Sequence, residues 1–292
     1  MTYSVIAHDA ESGAYGVGVQ SHWFNVGRTA PWVRFGVGAI ATQAMTDPSY
    51  GWRGLDIMAA GVDAPTALRV LMEMDADSDR RQVGFIDETG RVAVHTGSRC
   101  IRHADHRVGD GWAVLGNLLA NDGVIPAMAE AFEAATGTLA ERMVVALEAA
   151  ESAGGDVRGR QSAAIKIAPG PRDLRGGEEP GIEILIADHP DPVMELRRLI
   201  EVDRSYRFLR QGTSAIAEGR IDDGIDLLEQ ASRLRHGGEV DFWRAIGLAR
   251  SGRLDQAVTV LDPVFTQLPE FREVLTRLVE VEPDLALLRD RL

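Results

Sequence analysis

The strongest constraint on the fold is how little chain separates the β-branched runs of the first half. Residues 3–8 and 15–21 are joined through Glu11-Ser12-Gly13, a turn sequence, and so read as an antiparallel hairpin. Residues 81–87 and 91–95 flank Asp87-Glu88-Thr89-Gly90, a second hairpin turn. A parallel pair needs a crossover of roughly a dozen residues or more, which these connections cannot supply. Residues 37–43, nearly continuous in small and apolar residues, read as a strand covered on both faces. Residues 112–117, 161–168 and 182–187 complete the strands, the last two around an exposed loop at 169–181. Helices are predicted at 50–61 and at 63–74, the latter with Asp63 as N-cap and Pro65 in its first turn. A second helical pair covers 126–135 and 139–153 and stops at Gly154-Gly155. Two helical pairs set between groups of strands predict an α+β fold with helices layered on sheet.

Beyond Asp188-His189-Pro190-Asp191-Pro192 the chain changes character. Glu218-Gly219-Arg220-Ile221-Asp222 is matched 33 positions on by Ser251-Gly252-Arg253-Leu254-Asp255, and Ile225, Leu227 and Leu228 by Val258, Val260 and Leu261. That period, with a glycine turn between paired helices, is the signature of tetratricopeptide repeats (TPR). Two units and a partial third at 270–279 are few for independence, so the tail is expected to pack on the first domain or on another subunit. The expected division is residues 1–192, an α+β domain, and 193–292, an all-α TPR-like domain; 292 residues suffice for two cores.

Charge and composition exclude several classes. A net charge of −13 argues against a nucleic-acid partner. No apolar run reaches the length of a membrane span. The single cysteine, Cys100, allows no internal disulfide, and the amino-terminal residues lack a signal-peptide pattern, so a cytoplasmic location is expected. Frequencies among soluble oligomers favour a homodimer.

Several residues could carry chemistry. Thr2 follows an initiator methionine of the kind normally removed, which would leave a free α-amine with a pKa of about 7.7–8.0 beside a hydroxyl. The stretch from Thr96 to His106 offers Cys100, His103 and His106 as a thiol–histidine set or as metal ligands. A buried cysteine beside polar loop histidines accounts for it better, and structural zinc normally takes four Cys or His ligands. Gly16-Val17-Gly18 lies inside a strand and fails the context of a dinucleotide fingerprint; close backbone approach explains it better. Asp75, Asp77 and Asp79 lack the glycine and terminal glutamate of a calcium loop. Residues 156–162 form a polar turn entering a strand. No metal and no organic cofactor is expected.

Many of these residues occur together in one known family. Ser4-Val5-Ile6-Ala7-His8-Asp9, Gly16-Val17-Gly18-Val19-Gln20-Ser21, Val26-Gly27, Pro31-Trp32, Gly36-Val37-Gly38 through Gln43, Tyr50-Gly51, Arg53-Gly54-Leu55, Arg81-Gln82-Val83-Gly84, Thr96-Gly97, Cys100, His106, Gly116-Asn117 and Gly159-Arg160-Gln161-Ser162-Ala163 resemble DUF1028. The resemblance implies a four-layer αββα sandwich like that of N-terminal-nucleophile (Ntn) hydrolases. It implies Thr2 as nucleophile and its α-amine as base. Backbone N–H groups at Thr42-Gln43-Ala44 become oxyanion-hole candidates, Ser21 a polar neighbour of the nucleophile, and Asn117 and Ser162 further lining groups. Arg28 or Arg34 would stand in for the lysine that some Ntn enzymes use to tune the amine. Arg28, Arg34, Arg53 and Arg102 are either carboxylate-binding or surface residues, with Cys100 and His106 as further substrate contacts. Gly97-Ser98 and Gly137-Thr138 lie too far downstream to be self-cleavage sites. The expected reaction is hydrolysis of a small amide-like C–N bond through acyl-Thr2. The alternatives are an inactive scaffold that recruits a protein partner through its helical tail, and a thiol enzyme built on Cys100.

Overall fold

A computed structural model describes residues 2–170, 181–234 and 238–292. By its internal contacts the chain divides into two compact units, residues 1–198 and 199–292.

In the first unit, the opening hairpin forms as its turn requires: β1 (Thr2–His8) pairs with β2 (Tyr15–Ser21), with Gly13 in the left-handed region at φ 82°. After β3 (Pro31–Arg34) come β4 (Gly38–Ala44) and the helices α1 (Ser49–Ala59) and α2 (Ala64–Met74). The side chain of Asp63 caps α2 by accepting from the Thr66 N–H at 2.8 Å. β5 (Arg81–Asp87), β6 (Val92–Thr96), β7 (Asp105–Gly109) and β8 (Trp112–Asn117) follow, then α3 (Val124–Ala134) and α4 (Leu139–Ser152), then β9 (Ser162–Ala168) and β10 (Ile182–Ile186). Thr138 and Glu141 form a reciprocal capping box at the start of α4. Gly154-Gly155 closes it, the Gly155 N–H reaching back to Ala150 O at 2.9 Å. Of the loop expected at 169–181, residues 171–180 lie outside the described residues.

Among the described residues the strands make two wholly antiparallel sheets, ordered β10-β9-β2-β1-β8-β7 and β3-β4-β5-β6. The sheets face each other. Ile6, Val17, Leu115 and Ala113 from one meet Ala39, Ala41 and Ile86 from the other in a shared apolar layer. Helices α1 and α2 cover the outer face of the four-stranded sheet, burying Tyr50, Leu55, Met58, Leu68 and Leu71 against Ile40, Val83 and Phe85. Gly51 and Gly54, on one face of α1, permit that approach: a Cβ on Gly51 would lie 2.2 Å from Trp32, and one on Gly54 2.5 Å from Ile40 and Phe85. On the six-stranded sheet, α3 and α4 take the outer face; a Cβ on Gly18 would touch Val5, Met143 and Leu147. Gly16 meets backbone instead, with Lys166 O 2.2 Å from a Cβ there, so its role is close strand approach.

Two strands are additions to the sequence reading. β3 is four residues long and opens on proline, and β7, Asp105-His106-Arg107-Val108-Gly109, is largely exposed and polar. Both are edge strands, where one-sided burial leaves little hydrophobic pattern. His106 therefore belongs to a strand, not to a loop.

The second unit is helical: most of α5 (Pro192–Ala217), then α6 (Ile221–Leu234), α7 (Glu239–Arg250), α8 (Leu254–Gln267), α9 (Phe271–Val281) and the short α10 (Ala286–Arg289). The matched glycines occupy equivalent helix ends. Gly219 and Gly252 have φ 84° and 80°, and the residue after each bonds back at 2.9 Å, Arg220 N–H to Ala215 O and Arg253 N–H to Leu248 O. These are Schellman stops, and a new helix starts after each. Leu228, Phe242, Ile246, Leu261 and Leu288 lie in its core. No helix among the described residues is long and apolar enough to cross a membrane.

Candidate active site

Side chains alternate along a strand, so Thr2, Ser4 and Ile6 share the face of β1 that looks toward the other sheet. Ile6 and its neighbours make the middle of that layer apolar. At the end where β1 begins, the layer becomes polar. The same end holds the last residues of β2, β4 and β8 and the first of β5 and β9, because antiparallel pairing brings Thr2 opposite Asn117, Ser21 opposite Ser162 and Gln43 opposite Gln82. Thr2, Ser21, Gln43, Asn117 and Ser162, scattered in sequence, thus converge here, and each is at most 5% exposed.

The Thr2 hydroxyl lies 3.1 Å from Ser21 Oγ. The Thr2 carbonyl lies 3.2 Å from Gln43 Nε2, and Gln43 Oε1 accepts from Ser4 Oγ at 2.6 Å. Gln82 is the hub. Its Oε1 accepts from Gln43 Nε2 and from Asn117 Nδ2, both at 2.8 Å. Its Nε2 donates to Gly116 O at 2.8 Å, Asp105 O at 3.1 Å and Thr96 Oγ1 at 3.0 Å. Thr96 Oγ1 meets His106 Nδ1 at 2.9 Å. Burial, aided by His95, holds the pKa of His106 below its usual value, so the imidazole is neutral at pH 7. The inward-facing groups around Thr2 are therefore uncharged.

Two strands leave this site through left-handed residues that are not glycine: Ala44, φ 68°, directly after Gln43, and Leu118, φ 49°, directly after Asn117. Such backbone costs about 1 kcal/mol or more and gathers at functional sites. Of the oxyanion candidates, Thr42 N–H bonds Ala30 O at 3.0 Å, and Gln43 faces β5 in the ladder. Alternation puts the Ala44 N–H on the Thr42 edge, past the end of the β3 ladder. Trp23, Phe24 and Met45, just beyond the ends of β2 and β4, are exposed.

The remaining expected residues separate. Ser162 Oγ donates to Trp23 O at 2.5 Å and accepts from the Val26 N–H at 3.0 Å, so its hydroxyl clamps a loop. Arg34 lies at the far end of β4, opposite Gly38, and pairs with Asp56 at 2.9 Å; the structure does not bring it to Thr2. Arg28 is exposed and has no ion pair among the described residues. Cys100, His103 and His106 do not form one set: Cys100 Sγ contacts Arg81 O at 3.3 Å, and His103 Nδ1 meets Asp122 Oδ1 at 2.7 Å. Burial pushes the Cys100 thiol up, the reverse of an activated nucleophile. Asp75 instead holds Arg81 at 2.8 Å. Among the described residues no group of three or more His, Cys, Asp or Glu is placed to hold a metal. Gln82 and Thr96 are additions. Strict alternation along 81–87 puts Gln82 on the Gly84 and Ile86 face, the one signal in sequence that it points inward.

The model of a family of unknown function, DUF1028, matches residues 2–196. The chain belongs to DUF1028. Protein SPO2555 of Silicibacter pomeroyi, a DUF1028 protein of known crystal structure, is similar at a TM-score of 0.62 and 29% identity, over 68% of this chain and 88% of that one. Anbu, an ancestral β-subunit from Yersinia bercovieri, aligns at a TM-score of 0.32 and 14% identity, over 67% of this chain and 91% of that one, too distant to bear on fold or function. No curated protein matches the chain. DUF1028 membership accounts for the first unit and carries no activity with it.

Proposed function

We propose that this DUF1028 protein is an Ntn-type amidohydrolase with an αββα sandwich, acting on a small amide-like C–N bond through Thr2. The observation that carries the reading is the buried Thr2 hydroxyl at the head of a central strand, beside Ser21 and opposite Asn117. In the proposed cycle Met1 has been removed. The Thr2 amine takes the proton of its own hydroxyl as Oγ1 attacks the substrate carbonyl. Developing negative charge on the carbonyl oxygen meets the Ala44 N–H. The C–N bond breaks as the amine returns the proton to the leaving nitrogen, and water then hydrolyses the acyl-Thr2 ester with the same amine as base. No lysine is required: uncharged surroundings disfavour the ammonium form and lower the pKa of a buried amine.

We read the second unit as TPR-like, supported by the two equivalent Schellman stops 33 residues apart, and as the surface for a protein partner.

The chemistry makes a direct demand on the chain terminus. An amino-terminal extension that leaves Thr2 acylated abolishes hydrolysis of small amides, and proteolytic release of that extension to leave Thr2 first restores it. Undiminished hydrolysis by the extended protein contradicts the reading.

A further inference from the structure

Gln82 sets the direction of every amide in the site. Two of the acceptors at its Nε2 are backbone carbonyls, Gly116 O and Asp105 O, which cannot donate, so the NH2 group must face them. Oε1 then necessarily faces Gln43 and Asn117, and both must turn their NH2 groups toward it. Gln43 Oε1 accepts from Ser4, which completes that amide. Asn117 differs. Its Nδ2 is engaged by Gln82, while its Oδ1 takes no hydrogen bond from any described residue, although the side chain is 1% exposed. That oxygen is not among the buried unmatched side-chain atoms of the described residues and so is open to solvent; a ligand that covers it without supplying a donor leaves it unmatched. Asn117 is directly opposite Thr2 in the β1–β8 ladder, on the same face.

We propose that Asn117 Oδ1 is a substrate-binding acceptor that selects amides or ureas carrying at least one N–H on the scissile nitrogen, and that Gln82 is the positioning residue that aims it. This rests on the Thr2 reading for its location, and it assigns the substrate class. A primary or N-monosubstituted amide places its N–H on Asn117 Oδ1 while its carbonyl carbon sits over Thr2 Oγ1. A tertiary amide puts an alkyl group against that oxygen and leaves it unmatched.

The test uses full-length protein carrying Thr2→Ala, so that binding is read without turnover. Dissociation constants for propionamide and N,N-dimethylpropionamide are measured by NMR titration. The expected result is at least about tenfold tighter binding of propionamide, the value of one unsatisfied acceptor, with the 13Cγ resonance of Asn117 shifting on addition of propionamide only. Asn117→Leu in the same background brings the two probes within about twofold. Gln82→Leu loses the preference although Asn117 is intact, and the Asn117 13Cγ resonance no longer shifts with propionamide; a merely structural role for Gln82 predicts that the preference survives in the folded variant. Equal binding of the two probes, binding of neither, or an unmoved Asn117 13Cγ overturns the proposal, the last without depending on any further variant folding. A clear preference in Thr2→Ala, with no acyl-enzyme formed by unmutated protein, removes the nucleophile and leaves the selectivity.

Discussion

Thr2→Ala lowers amide turnover by about 10⁴–10⁶-fold, the range seen when an enzyme loses its nucleophile, while the protein stays folded. The variant keeps the α-amine, the Ala44 N–H and the Gln43–Gln82–Asn117 network, and removes one hydroxyl and one methyl. The structural loss is the hydrogen bond to Ser21 Oγ at 3.1 Å, a cost of about 1 kcal/mol. Thr2→Ser, which retains the oxygen, retains measurable turnover. Steady-state rates beside thermal unfolding of each variant check this. A Thr2→Ala protein that turns over at the unmutated rate leaves Thr2 without a catalytic role.

Asp87→Ala has the largest expected effect on stability, at the end of the sandwich away from Thr2. The Asp87 carboxylate accepts from the Ala64 N–H at 3.1 Å, from Thr89 Oγ1 at 2.6 Å and N–H at 3.0 Å, and from Arg91 Nε at 3.0 Å. It thus ties the first turn of α2 to the β5–β6 hairpin. Burial pushes its pKa up, but the Thr89 hydroxyl and the surrounding N–H groups outweigh that, and the folded value lies below the usual carboxylate range. The alanine variant leaves the buried Ala64 N–H unmatched and strips an anion from a helix N-terminus, together about 2–3 kcal/mol. The pH dependence follows from the depressed pKa. The unfolded carboxyl binds its proton first as pH falls, so this stabilisation is complete above the unfolded pKa of about 3.9 and is lost as pH falls through the lower folded value. Urea denaturation at pH 7 shows the full deficit. Below the folded pKa, the difference between the unmutated protein and the Asp87→Ala variant is smaller, by the part that depends on the carboxylate charge. An equal deficit at both pH values contradicts this role for the carboxylate.

Much of the fold was legible because its strands are short, alternating and joined by turns with specific chemistry. The Glu11-Ser12-Gly13 and Asp87-Glu88-Thr89-Gly90 turns and the Asp63 cap are local, and local signals survive in a sequence. The edge strands β3 and β7 were not legible, since half their surface faces solvent and they carry proline, histidine and arginine where a core strand would carry valine. The site was legible only in pieces. Thr2, Gln43 and Asn117 stand far apart in the chain, and their convergence is a product of sheet register. Gln82 shows the limit most clearly: alternation puts it on the inward face of its strand, but only the pairing of Gln43 with Gln82 brings it to the site between the sheets. Arg34 is the converse, a charge attractive in sequence that register carries to the wrong end.

Covalent labelling asks most directly whether Thr2 Oγ1 is the reacting atom. Turnover-competent protein is treated with p-nitrophenyl acetate, quenched in acid and peptide-mapped by mass spectrometry, with and without hydroxylamine. The expected product is a hydroxylamine-labile acetyl ester on an amino-terminal peptide that begins at Thr2. Active protein that still carries Met1, or an acetyl group on Cys100 with Thr2 unmodified, contradicts it.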